Sequence, residues 1–292
     1  MLASLLIVFR EVLEAGLVVG IVLAATEGIR GRGWWIAGGI GAGVLGAALL
    51  ALFAGALSNA LSGNGQEVFD AGILIVAVAM LSWHILWMAN HGREMAREMR
   101  QIGQAVASGE KSLLAMGVVV TVAVLREGSE VVLFLYGIAA STKVGPDALL
   151  FGGALGVLAG GAVSWLLYRG LVAIPLNRLF GVTNVLVALL AAGMAGQAAA
   201  ILAGANLIPA WGYELWDTSW LLSDGSLFGR AVHALFGYSD RPMGVQLAAY
   251  LTTLAVLIIA SRVVHGKPQE QRQRRPKVQA PGRPARQPTT QS

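Results

Sequence analysis

Seven runs of about twenty apolar residues constrain this chain more than any other feature. They fall at roughly 2–26, 34–57, 70–90, 113–139, 148–170, 179–204 and 244–264, and about twenty such residues carry a helix across the hydrocarbon core of a bilayer. Each run is much longer than a barrel strand and lacks strict alternation, which excludes a β-barrel. With 56% hydrophobic and 13% charged residues and a mean hydropathy of +0.67, the chain leaves no stretch for a conventional soluble core. The expected fold is all-α: a polytopic membrane protein with seven transmembrane helices over residues 1–265. The final stretch, 266–292, is rich in Pro, Gln and Arg and nearly free of large apolar residues, and reads as a disordered basic tail. No positive segment precedes the first run, and Arg10 and Glu11 interrupt it, so it reads as a retained span rather than a signal peptide.

Charge sets the expected orientation. Sixteen of the 21 Lys and Arg residues fall in the loops 27–33, 91–112 and 169–178 or from the C-terminal end of the seventh run onward, Arg30, Arg97, Arg100 and Arg169 among them. The opposite loops hold Lys143, Arg230 and Arg241. Positive residues favour the cytoplasmic side, so the N-terminus is expected outside and the C-terminus inside, as an odd number of spans requires. A basic tail beside anionic lipid explains the positive net charge without nucleic acid. The outer side carries Glu67, Asp70, Asp147, Glu214, Asp217, Asp224 and Asp240, a negative vestibule that would concentrate cations. Residues 91–112 read as a charged cytoplasmic helix. Within the outer loop 205–243, a short amphipathic helix is expected after Ser226, burying Leu227, Phe228, Val232, Leu235 and Phe236.

The chain also repeats itself. FREVLEAGLVVGIVLAAT at 9–26 aligns with LREGSEVVLFLYGIAAST at 125–142, matching Arg10 with Arg126, Glu11 with Glu127 and Glu14 with Glu130. Gly38-Gly39 in the second run similarly approximate Gly152-Gly153 in the fifth, and the third run is weakly similar to the sixth. The units are about 1–90 and about 113–204, with a seventh span at about 244–264. Three spans per unit is odd, so the second unit enters the membrane from the opposite side. Such inverted repeats bind their solute near the midplane. At ~1.5 Å rise per residue, Arg10 to Glu14 lie about 12 to 18 Å below the outer end of the first helix.

A charged residue at the centre of a span costs roughly 2.5–3.5 kcal/mol, so three per helix would be shed unless they did something. Glu11 and Glu14 are i,i+3 neighbours and Arg10 and Glu14 are i,i+4 neighbours, so all share a broad face. Packing the first span on the fourth would gather four carboxylates and two guanidiniums into a trap for a multivalent cation. Carboxylate oxygens suit hard ions, Fe³⁺ among them. The arginines would keep the carboxylates ionised and oriented. Glycines at 16 and 20, and at 152, 156 and 160, would let helices approach closely. A register-fixing Arg–Glu pair is the structural alternative, weakened by the motif's duplication. His84 could bind metal, although a lone histidine in a span is more often packed or hydrogen-bonded. Met80, Met88, Met116 and Met194 read as gap-fillers. Glu67 and Asp70 mark a candidate outer reception site. Absent cysteine and scattered histidines without HExxH remove thiolate and zinc-protease chemistry. Transport of another divalent metal such as lead or manganese remains open, as does a membrane metal sensor or scaffold.

REVLE at 10–14 and REGSE at 126–130, in the first and fourth of seven spans, resemble the R-E-x-x-E motifs of the oxidase-dependent iron permeases, fungal and bacterial EfeU-type. FDAGI at 69–73, LSWHILWM at 81–88 and SLFGRAVHALFGY at 226–238 support the resemblance, which covers all but the tail. It implies iron import across the inner membrane by a non-enzyme. Glu11, Glu14, Glu127 and Glu130 are its implied iron ligands, and Arg10 and Arg126 its motif arginines. It implies no permanently bound cofactor. It does imply an oxidising partner, a multicopper oxidase or a periplasmic peroxidase or cupredoxin-like protein. Asp70 stands where a glutamate is expected, and Asp217 is the nearest match to the acidic outer-loop motif of fungal members.

Overall fold

The computed structural model describes residues 1–60, 66–141, 145–170 and 176–273. Eight helices lie among them: α1 (Leu2–Ala25), α2 (Arg32–Ala60), α3 (Gln66–Ala107), α4 (Leu113–Ser141), α5 (Pro146–Tyr168), α6 (Leu176–Gly204), α7 (Leu227–Phe236) and α8 (Gly244–Gln273). The all-α expectation holds. Five of these helices contain a stretch long and apolar enough to cross a membrane: Arg32–Leu57, Gln66–Trp87, Pro146–Tyr168, Gly181–Gly204 and Gly244–Val263. α1 and α4 are as long, at 24 and 29 residues, but each carries three charged side chains at its middle. Their charges, not a lack of apolar residues, set them apart from the other five.

The burial pattern is that of a protein solvated by lipid. Leu45, Leu52 and Phe53 of α2, Leu150 and Leu158 of α5 and Ile259 of α8 all point outward, while Arg10, Glu11, Glu14, His84, Glu127 and Glu130 are buried. A soluble bundle would reverse this. The chain is thus a multi-pass membrane protein whose interior holds its charge.

α1 packs chiefly on α5, α2 on α4, and α3 on α6, with α8 against α6. Glycine sets the first two contacts. A Cβ at Gly156 would lie 2.7 Å from the Leu5 carbonyl oxygen and 2.8 Å from Val8 Cβ; at Gly160 it would lie 2.8 Å from the Phe9 carbonyl oxygen. Across the other pair, a Cβ at Gly39 would lie 2.7 Å from the Gly117 carbonyl oxygen, and one at Gly43 2.7 Å from Val124 Cβ. Backbone so close leaves no room for any side chain. Gly156→Ala is therefore expected to destabilise by about 1–3 kcal/mol. Gly153→Ala, whose Cβ would meet only Val8 Cγ2 at 3.9 Å, should stay within about 0.5 kcal/mol. Thermal unfolding in detergent measures both, and equal midpoints for the two variants would refute this account of the contact.

The segment 91–112 is not a separate helix. α3 runs unbroken for 42 residues, from Gln66 to Ala107, because no proline interrupts it. Its far end packs on the bundle: Val106 joins Val22, Ile36, Met116 and Val120 in one apolar cluster. α7 also departs from expectation. Ser226 Oγ caps it by accepting from Gly229 N at 2.9 Å, and Gly237, at φ 68, closes it. Yet Phe228 and Phe236 are exposed rather than buried, and Val232 is only half-buried. The side chains of Leu227 and Leu235 lie outside the described residues. The reason is that α7 meets the bundle through small and polar groups. A Cβ on Gly193 would sit 2.7 Å from Gly237 Cα, and His233 Nε2 approaches the Ser141 carbonyl at 3.3 Å. α8 continues to Gln273, past the end expected for the seventh span. The remainder of the tail, 274–292, and Lys143 lie outside the described residues.

Candidate metal centre

Three helices bring seven ionisable side chains together. Arg10 follows from α1's need to bury charge: it is 1% exposed, with NH1 3.3 Å from Glu11 Oε1 and Nε 3.2 Å from Glu14 Oε1. The second pair has the i,i+4 spacing of one helix turn. α4 repeats the pattern, Arg126 Nε lying 3.4 Å from Glu130 Oε1 and 3.9 Å from Glu127 Oε1. His84 of α3 sits between them. Its Nε2 is 3.1 Å from Glu14 Oε2 and its Nδ1 2.5 Å from Glu130 Oε2. One imidazole therefore ties the two motifs together.

The carboxylates converge on more than each other's arginines. One ligand atom each from Glu11, His84, Glu127 and Glu130 lies within 4.8 Å of the others. Two ligands across an ion at 2.3–2.6 Å are up to about 5 Å apart, so this set has the span of a coordination shell. Glu11 Oε2 and Glu127 Oε2 are buried with no hydrogen-bond partner, beside the close His84 Nδ1–Glu130 Oε2 pair. Buried polar atoms are rarely left so, and three acceptor oxygens around one imidazole nitrogen are a donor set for a cation. Glu14 stands differently. Its oxygens face Arg10 and His84, and it holds those two in place.

All six motif residues are thus brought together. Glu67, Asp70 and Asp217 are not. Glu67 is exposed and Asp70 half-buried at the start of α3. Asp217 is exposed, accepting from Ser219 N at 2.9 Å and pairing with Arg241 NH2 at 3.0 Å. The Ser219 hydrogen bonds, with Arg241 beside them, hold its carboxyl below the usual range. His84 was underrated by the sequence. Its only signal was a polar ring in an otherwise apolar span. The two arginines also differ: Arg126 has a side chain 36% exposed and stacks over Trp87 at 4.6 Å, whereas Arg10 is enclosed. Met116 and Met194 are buried in apolar clusters away from these ligands.

Helices that turn apolar side chains outward and enclose a cluster of cation ligands have the layout of a membrane cation transporter. Residues 1–268 match the Iron permease FTR1 family, and the chain belongs to that family. It is similar to the ferrous iron permease EfeU of Escherichia coli O6:K15:H31 (strain 536 / UPEC), 32% identical over 265 residues that cover 89% of this chain and 95% of the relative. The ferrous iron permease EfeU of Yersinia pestis is 31% identical over 264 residues, covering 89% and 92%. No solved structure matches the chain.

Proposed function

We propose that this chain imports iron through a site built from both R-E-x-x-E motifs and His84. The carrying observation is the convergence of Glu11, Glu127, Glu130 and His84, from three helices, on one buried point. Carboxylates suit hard cations, and one imidazole extends the set to borderline divalent ions, Fe²⁺ among them. Arg10 and Arg126 balance the charge, and Glu14 positions His84. Glu67, Asp70 and Asp217 serve as outer reception points. Iron is the substrate, and the protein keeps no resident cofactor.

The site lies between two inverted three-helix repeats, α1–α3 and α4–α6, with α8 as the seventh span of one permease domain. Packing supports this. A two-fold exchanging the repeats turns the α1–α5 contact into the α4–α2 contact, and these are the two tight pairs. The glycines agree in detail: Gly43 faces Val124 and the Leu125 nitrogen as Gly156 faces Val8 and the Phe9 nitrogen. That equivalence pairs Gly39 with Gly152, one residue from the pairing read in sequence. The chain sits in the inner membrane with its N-terminus outside and a basic cytoplasmic tail. An oxidising partner outside supplies Fe³⁺ from Fe²⁺.

Purified protein in proteoliposomes should show saturable iron influx, with manganese and lead competing weakly. Binding of iron without flux would make the protein a sensor or scaffold. Flux of another divalent ion but not iron would reassign its substrate.

A further inference from the structure

The two tight helix pairs exchange one knob for one hole. In the α2–α4 pair, Tyr136 fills the gap: a Cβ at Gly55 would lie 2.9 Å from its hydroxyl, which donates to the Ala51 carbonyl at 3.2 Å. The residue shift that takes Glu14 to Glu130 takes Gly20 to Tyr136, and the shift that takes Gly43 to Gly156 takes Gly55 to Tyr168. The α1–α5 pair therefore has glycine where its counterpart has tyrosine, and tyrosine where it has glycine. Here the ring lines the gap rather than inserting between the helices: its Cδ2 would stand 4.0 Å from a Cβ at Gly20. Tyr168 lies exposed at the end of α5, and a Cβ at Gly20 would meet nothing nearer than Tyr168 Cβ at 3.9 Å. A cleft of about 500 Å³ opens between α1, α5 and the far part of α3. It exists whether or not the repeats are inverted.

Its lining is graded. Leu17, Ile21, Ala24 and Leu167 make apolar walls. At one end stand Arg100 and Gln104, an i,i+4 pair on one face of α3, with Tyr168 beside them. This end lies where α1 stops at Ala25 and α5 at Tyr168, the level at which both helices leave hydrocarbon. Arg169 follows immediately, stacked on Trp165 at 5.1 Å. Within the cleft, Ser164 Oγ is buried with no hydrogen-bond partner. Among the described residues no carboxylate lines it, so a metal ion on this path would meet a guanidinium and no anionic ligand there.

We propose that the cleft is a binding site for an anionic phospholipid of the leaflet at the α1 C-terminus. One acyl chain lies along Leu17, Ile21 and Leu167, and the phosphate sits on Arg100 and Gln104. Arginine binds phosphate by paired charge-assisted hydrogen bonds, and basic pockets between helices at a membrane surface take anionic headgroups. A zwitterionic lipid brings the same phosphate but sets its own cation beside Arg100 and Arg169, so an anionic headgroup is favoured. None of these residues belongs to the iron site.

The test is native mass spectrometry of the full chain in neutral detergent, titrated with phosphatidylglycerol or phosphatidylcholine of identical acyl chains. Phosphatidylglycerol should bind about tenfold more tightly, and R100Q, a change at an exposed position, should abolish that preference while leaving the unfolding midpoint unmoved. G20F places a ring where Tyr136 lies in the other pair and should weaken both lipids tenfold or more. Equal affinity for the two lipids overturns the proposal, and so does a preference that survives R100Q. Loss of iron flux in G20F with unchanged lipid binding also overturns it, by making the cleft part of the iron route.

Discussion

Glu130→Gln is expected to reduce iron uptake by at least 100-fold at unchanged amounts of folded protein in the membrane. Glu130 makes more of the site than any other carboxylate: it faces His84 Nδ1 at 2.5 Å and Arg126 Nε at 3.4 Å, and belongs to the convergent set. The amide keeps the shape but loses the charge, and its NH₂ turns a donor toward His84 or Arg126, where the carboxylate accepted. Mutations of groups that merely orient ligands cost about 10–100-fold in metal sites, so losing a ligand should exceed that range. Glu14→Gln provides the contrast. Glu14 holds Arg10 and His84 but stands outside the convergent set, so its loss should fall within about 10–100-fold. Radiolabelled iron uptake in cells, normalised to inserted protein, separates them. Uptake by Glu130→Gln close to that of the unaltered chain would remove the proposed site. A larger loss for Glu14→Gln than for Glu130→Gln would return Glu14 to the coordination shell.

The second large effect is on stability, and it should be unequal between the motifs. Arg10 is enclosed against Glu11 and Glu14, and removing one partner of a buried ion pair costs about 3–5 kcal/mol by leaving the other uncompensated. Arg10→Met should therefore lower the yield of folded protein and its unfolding midpoint sharply. Arg126→Met should do much less, because its side chain is 36% exposed and part of its interaction is with Trp87 rather than the carboxylates. Adding Glu11→Gln to Arg10→Met should restore part of the lost stability, since it removes the charge left unpaired, and the double-mutant cycle measures that coupling. Equal midpoints for Arg10→Met and Arg126→Met would mean that the enclosure of Arg10 carries no energetic weight.

Much of this was legible before folding. Apolar runs of bilayer length announce spans because lipid imposes a single length on every helix that crosses it. Three charges in the middle of each of two such runs announce a site, because hydrocarbon makes them too costly to keep without use. Those same charges set α1 and α4 apart from the other long apolar helices, although their apolar length is that of a span. The break expected between the third span and a charged helix was misplaced for a related reason: composition changes near residue 90, but a helix backbone carries on through a change of solvent unless something breaks it.

Sequence by itself determined that charge would be buried in mid-membrane, on which helices, and in which spacing, because those follow from helix period and the energetics of hydrocarbon. Tertiary structure alone decided which groups meet. It drew His84 from α3 between Glu14 and Glu130, closed protein around Arg10 while leaving Arg126 half open, and withheld Asp70 and Asp217 from the cluster. It also left a cleft beside Gly20 where the matching gap is filled by Tyr136. The reason is physical: spacing along a helix fixes the face on which a side chain stands, but only the packing of one helix on another fixes what that face touches.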